Sequence, residues 1–155
     1  MISSTHLHAM VVHFPIALLM VAFLFEVISF FYKKEFFHKS SIYLLVLGML
    51  GTVVSYLFGN AAGEGIEEGA LGKVIELHEQ SATISLWLTI STTFTYLTAE
   101  FVRNKRSWIK LVNILLFAVV ISSIARTGYL GGQLVYKHGA GVQLAIPDFS
   151  SPDEK

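Results

Sequence analysis

The chain has 155 residues, of which 54% are hydrophobic and only 14% are charged, and its mean hydropathy is +0.62. Soluble domains are typically about 45–50% apolar and about 25% charged, so this composition favours a membrane protein. The net charge of zero gives no indication of nucleic-acid binding, and the absence of cysteine excludes disulfides, thiolate ligands and c-type haem attachment within the chain.

Four apolar stretches predict four membrane-spanning helices. Each is close to the ~20 residues that cross about 30 Å of hydrocarbon. The stretches cover residues 9–32, 41–59, 82–102 and 108–127. We therefore predict an all-α fold, an integral membrane four-helix bundle, with the four-span domain over residues 1–144 and a loose tail over residues 145–155.

A proline near the start of the first stretch has two alternative meanings. Inside a continuous helix, Pro15 would free the carbonyl of Val11 and bend the span. If the regular helix starts near Phe14, Pro15 is a first-turn proline. The sequence leaves both alternatives open.

The distribution of charge predicts the orientation in the membrane. Seven of the eleven basic residues flank the first and third loops, whereas the second loop, residues 60–81, is rich in glutamate. The positive-inside rule then places loops one and three in the cytoplasm and both termini in the periplasm of a bacterial inner (cytoplasmic) membrane. Residues 128–142 hold five glycines and no long apolar run, and we expect them to fold back over the periplasmic mouth.

Five of the six histidines fall at the predicted periplasmic face, and His38 is alone at the other. The five are His6, His8, His13, His78 and His138. His13 lies about one turn into the first span and His78 at the entrance to the third. Two imidazoles at similar depth on separate helices are what axial ligation of a b-type haem requires.

We therefore predict His13 and His78 as an axial pair, with His8 and His138 as a second pair or as ligands of a second haem. Near the outer end of the fourth span, Arg126 either pairs with a haem propionate or extends to the interface. Glu26 lies deeper in the first span. It is interpreted as a proton-relay group, as one end of a quinone site, or as an inward-facing acid without such a role.

Three segments resemble a bacterial membrane family catalogued as domain of unknown function 2231 (DUF2231). The first is Leu7–Leu19, LHAMVVHFPIALL, against the family motif His-Pro-x-x-Val-His-Phe-Pro-Ile-Ala-Leu. The others are the Leu77–His78 pair and the glycine-containing segment Thr127–Val142. The chain departs from the family at Ala9, where proline is usual. The resemblance marks His8, His13, His78 and His138 as recurring positions, and members that are joined to cytochrome c-like domains imply a redox role.

These observations together predict an electron-transfer protein that binds one or two haem b groups near the periplasmic face. Its expected partners are the lipid bilayer, quinol, and a periplasmic cytochrome or larger membrane complex. No catalytic base or nucleophile is identified, which points to an electron carrier rather than an enzyme. The alternatives are a histidine-based site for copper or zinc handling, and a cofactor-free structural subunit of a larger membrane complex.

Overall fold

The computed structural model describes residues 4–63, 69–102 and 106–142, and these form five α-helices. The bounds are Ser4–Val11 for α1, His13–Tyr32 for α2, Glu35–Gly63 for α3, Gly69–Phe101 for α4 and Ser107–His138 for α5. The predicted all-α fold is confirmed. Three of the four predicted stretches fall almost wholly within α3, α4 and α5, and the first is divided between α1 and α2.

The division between α1 and α2 lies at Val12. Pro15 has no N–H to donate to the carbonyl of Val11, and its ring crowds that carbonyl. The first helix accordingly ends at Val11, and α2 begins at His13 with Pro15 in its first turn. Pro15 is therefore a first-turn proline of α2, as the second alternative predicts, and the bend of the first alternative stays a prediction.

The four long helices close into a bundle. α2 packs against α3, α3 against α4, α4 against α5, and α5 returns to α2, while the short α1 lies against α3. A tight turn through Lys33, which adopts the left-handed conformation, joins α2 to α3. The buried apolar core lies at the centre of this ring and consists of Leu19, Ala22, Ile42, Leu45, Tyr96, Phe117 and Val120.

Helix α4 buries a row of hydroxyl side chains and exposes several large apolar ones. We call the buried residues Ser81, Ser85, Thr89 and Thr93 the hydroxyl seam. On other faces of α4, Trp87 and Phe94 are 62% and 70% exposed. Three helical segments among the described residues are long and apolar enough to cross a membrane: Ser4–Tyr32, Glu35–Gly63 and Ser107–His138. Helix α4 is long enough, but its polar residues lower its hydropathy below that of the other three.

The segment after residue 127 is helical as far as His138, so the expectation that it folds back is wrong for residues 128–138. Beyond the helix, Gly141 does lie against α1, since a Cβ on it would be 3.0 Å from Thr5 Cγ2. Helix α5 continues to His138, where Gly139 in the left-handed conformation ends it. Most of the predicted second loop is helical too, because α3 extends to Gly63 and α4 begins at Gly69. The expected loose tail from residue 145 onward lies outside the described residues.

Candidate functional site

His8, on α1, lies against α3 with its ring held at one nitrogen. Its Nδ1 is 2.9 Å from the backbone carbonyl oxygen of Ser55. One turn further along α3, a Cβ on Gly59 would lie 3.0 Å from the ring carbon Cε1 of His8. A side chain at residue 59 would therefore require the ring to shift by a few tenths of an ångström.

His78, on α4, lies against α5 in the same manner. Its Nδ1 is 3.1 Å from the carbonyl oxygen of Thr127, and a Cβ on Gly131 would lie 3.2 Å from its Cε1 atom. In both cases a carbonyl fixes the ring, and a glycine four residues later provides the flat surface beneath it. The same arrangement is thus repeated in the two halves of the bundle.

The two rings are neighbours in an edge-to-face arrangement. The centroids of His8 and His78 are 6.4 Å apart and the ring planes are nearly perpendicular, at 89°. We call these two residues the imidazole pair. Since a carbonyl only accepts a hydrogen bond, each Nδ1 carries the proton and each Nε2 keeps its lone pair. Neutral imidazoles with free Nε2 lone pairs are the form that binds a metal ion.

The surroundings of His78 keep it in that neutral form. His78 precedes the apolar stretch 82–102, and its partial burial lowers its pKa. The carbonyl of Thr127 opposes this shift, and the nearby His8 adds to it. A lowered pKa leaves the imidazole unprotonated, and hence able to act as a ligand, over a wider range of pH.

The structure places the other predicted site residues differently. His13 is exposed at the start of α2, five residues beyond His8. His138 is exposed at the end of α5, eleven residues and therefore about 16 Å of helix beyond Thr127. Arg126 is exposed, and its guanidinium donates a hydrogen bond of 3.3 Å to Ser81 Oγ, one turn from His78. The imidazole pair thus joins two of the four predicted histidines.

Sequence reasoning missed the residues that hold these rings. Ser55 and Thr127 act through their backbone carbonyls, which no side-chain pattern shows. The available signal was the spacing of a hydroxyl residue and a glycine four positions apart, Ser55 with Gly59 and Thr127 with Gly131. That spacing is common wherever helices pack closely, so it indicates a site only once the rings are located.

Side chains of His, Asp or Glu do not gather in groups of three or more with metal-binding geometry anywhere in residues 4–63, 69–102 and 106–142. The imidazole pair therefore offers two protein ligands. A metal ion that requires four protein ligands would not be satisfied by this pair alone.

The opposite end of the bundle holds a second polar group of residues. His38 Nδ1 lies 3.0 and 3.2 Å from the two carboxylate oxygens of the buried Glu26, and its Nε2 lies 3.7 Å from the exposed Glu100. The ring of Tyr96 is 6.4 Å from that of His38. We call these four residues the Glu26 cluster.

The bundle of long apolar helices defines a helical membrane protein. The model of a family described as "Predicted membrane protein (DUF2231)" matches residues 4–144. The chain belongs to this family, whose description states no activity. Searches of curated proteins and of solved structures found no match.

Proposed function

We propose that this protein is an electron carrier of the bacterial inner membrane that binds haem b between His8 and His78. The observation that carries the proposal is the state of the imidazole pair, in which both Nδ1 atoms face backbone carbonyls and both Nε2 lone pairs are left for a metal. Bound haem would supply the one-electron chemistry, and the chain would supply axial ligands and burial.

The number of ligands favours haem over a bare metal ion. Structural zinc sites use four protein ligands, and catalytic sites use three with an open position. The porphyrin already provides four nitrogens, so haem iron needs only the two that the pair offers. Copper(I) prefers sulfur ligands, and the chain contains no cysteine.

The separation of the rings also fits one metal ion. Two metal–nitrogen bonds of about 2 Å each, with the ring radii added on both sides, span roughly 6 Å. The measured centroid distance is 6.4 Å. The rings are carried by two different helices, α1 and α4, as ligation of one haem by two histidines would require.

The proposed axial pair differs from the sequence-based pair of His13 and His78. His78 is common to both. We now assign the second position to His8, because its ring faces His78 whereas His13 is exposed. This assignment also replaces the sequence-based second pair of His8 and His138, and no ligand role is proposed for the exposed His13 or His138. Arg126, held near the pair through Ser81, is the proposed partner of a propionate.

The proposed setting is a four-span topology with both termini in the periplasm. The lipid-facing apolar side chains of α4, with hydroxyls turned inward, support counting α4 as a span in spite of its lower apolarity. The imidazole pair then lies near the periplasmic face, where a periplasmic cytochrome or a larger membrane complex accepts electrons delivered by quinol.

The test is a titration of the purified full-length protein with hemin, followed by optical spectroscopy before and after reduction. We expect one equivalent to give the sharp reduced α-band of bis-imidazole haem, and His78→Ala to abolish it. Gln80→Ala, a change of an exposed polar residue on the same helix α4, serves as the matched control and retains the band.

The same preparation separates the alternatives. A colourless protein that binds copper or zinc stoichiometrically, and loses it in His78→Ala, would indicate metal handling instead. A protein that binds neither hemin nor metal would indicate a cofactor-free structural subunit. Either result contradicts the haem proposal.

A further inference from the structure

The Glu26 cluster lies at the end of the bundle opposite to the imidazole pair. Glu26 is in α2, six residues before that helix ends, and only 6% of its surface is exposed. A carboxylate at this depth among apolar helices is costly and is usually functional. The structure gives it one close partner, the imidazole of His38.

His38 uses both of its ring nitrogens on carboxylates. Nδ1 lies against both oxygens of the buried Glu26, while Nε2 lies 3.7 Å from Glu100, whose side chain is 52% exposed. The longer distance is that of an ion pair with an exposed acid. An imidazole between a surface acid and a buried acid has the geometry of a proton shuttle.

A fourth side chain borders the cluster on the inner side. Tyr96 is 1% exposed, its ring neighbours that of His38, and its hydroxyl has no hydrogen-bond partner. Buried hydroxyls nearly always have a partner, so an unpaired one deserves an explanation. The Tyr96 hydroxyl is therefore a buried polar group beside the cluster that could donate or accept a hydrogen bond.

We propose that the Glu26 cluster is a proton-binding site that opens to one side of the membrane through His38. Glu100 or solvent gives a proton to His38 Nε2, and the imidazolium passes its Nδ1 proton to the carboxylate of Glu26. Glu26 is then neutral, and His38 is a neutral imidazole that carries its proton on Nε2. The reverse steps release the proton to the same side.

The charged groups around His38 come from several helices. Glu26 faces it from α2, Glu100 from α4, and Lys110 on α5 adds a positive charge that opposes an imidazolium. The neighbouring Lys39 on α3 is paired with Glu35 and lies in solvent. The negative charges of Glu26 and Glu100 outnumber the positive charge of Lys110, so they stabilise an imidazolium at His38. A proton shuttle requires this because the imidazolium is its charged intermediate.

We confine the proposal to this cluster. The hydroxyl seam leads from Tyr96 towards His78, but Thr89 and Thr93 donate their protons to the carbonyls of Ser85 and Thr89. Those hydrogen bonds are the usual way in which buried helical threonines are satisfied. Proton exchange at Glu26 therefore requires neither the hydroxyl seam nor haem. Its test is independent of the test of the proposed electron transfer.

The experiment is infrared spectroscopy of the full-length protein in phosphatidylglycerol–phosphatidylethanolamine vesicles after a rapid drop in pH. We expect a protonated-carboxyl band that is absent in Glu26→Gln and present in Glu35→Gln, the matched change of an exposed acid. In His38→Asn, whose amide still donates to Glu26, the band should appear about 100-fold more slowly with the same amplitude. A band that persists in Glu26→Gln, or an unchanged rate in His38→Asn, overturns the proposal.

A second measurement uses the unaltered chain, so it does not depend on whether the variants fold. In nitrogen-15 spectra of histidine-labelled protein, a shuttle requires the Nδ1 proton of His38 to exchange with solvent as freely as ring protons of the exposed His13. Protection of that proton comparable to the backbone amides of α3 would mean that His38 and Glu26 form a static ion pair.

Discussion

Histidines lie at both ends of this bundle, and the partner of Nδ1 distinguishes them. In the imidazole pair, each Nδ1 donates to a backbone carbonyl, so neither Nε2 is the atom that makes this hydrogen bond. In the Glu26 cluster, Nδ1 of His38 faces a carboxylate and Nε2 faces another. The first arrangement suits a ligand and the second suits a proton carrier, although the side chain is the same.

The largest effect on stability is expected at the Glu26 cluster. His38→Ala leaves the buried carboxylate of Glu26 without its partner, and we expect a loss of about 3 kcal/mol in the free energy of unfolding. Reversible unfolding in mixed detergent micelles measures it. The double variant Glu26→Gln, His38→Ala should recover much of the loss, because no buried charge is left unpaired.

Lys39→Ala is the control for that experiment. It breaks the exposed pair with Glu35 at the same end of α3, and we expect a change of less than about 0.5 kcal/mol. If His38→Ala is as mild as Lys39→Ala, the ion pair with Glu26 does not contribute to stability, and the distinction between the two ends is weakened.

A smaller effect is expected at the glycines beneath the imidazole pair. A methyl group at residue 59 or 131 would meet the ring of His8 or His78 at 3.0 or 3.2 Å and displace it. We expect Gly59→Ala and Gly131→Ala each to weaken hemin binding about tenfold, as changes behind a metal ligand typically do. Gly132→Ala, which meets nothing within 4 Å, should bind hemin normally in the same titration.

The smallest effect concerns the unpaired hydroxyl of the Glu26 cluster. Tyr96→Phe removes a buried polar atom that has no partner while keeping the ring packed against Phe117. We expect the free energy of unfolding to increase by up to about 1 kcal/mol. A clear loss of stability in the same unfolding assay would show that the hydroxyl makes a hydrogen bond in the folded protein.

The helical class of this fold and the positions of its long helices could be predicted from the sequence, because they depend on the composition of long segments. Runs of about twenty apolar residues require helices wherever they lie in a membrane, and the break at Val12 follows from the geometry of Pro15. The end of α5 was missed because Gly128, Gly131 and Gly132 were interpreted as helix breakers. Instead, all three lie within the helix, where Gly131 permits the ring of His78 to approach, and Gly128 and Gly132 have open space beside them.

The candidate site was only partly predictable for a related reason. Equal depth in the membrane suggested His13 and His78, but depth does not determine which side of a helix a ring occupies. The carbonyls of Ser55 and Thr127 fix the rings of His8 and His78. These are tertiary contacts, and the spacing of a hydroxyl residue and a glycine is too common among packed helices to reveal them. The link between Glu26 and His38 was missed for the same reason.

Hemin binding by His8→Ala and His13→Ala, compared in one titration, tests the central claim most directly. Both variants remove a histidine from the first long apolar segment, and only one of them removes a ring that faces His78. The account predicts that His8→Ala abolishes the bis-imidazole spectrum and that His13→Ala retains at least one bis-imidazole haem. Full binding by His8→Ala together with loss in His13→Ala would contradict it and restore the pair expected from sequence.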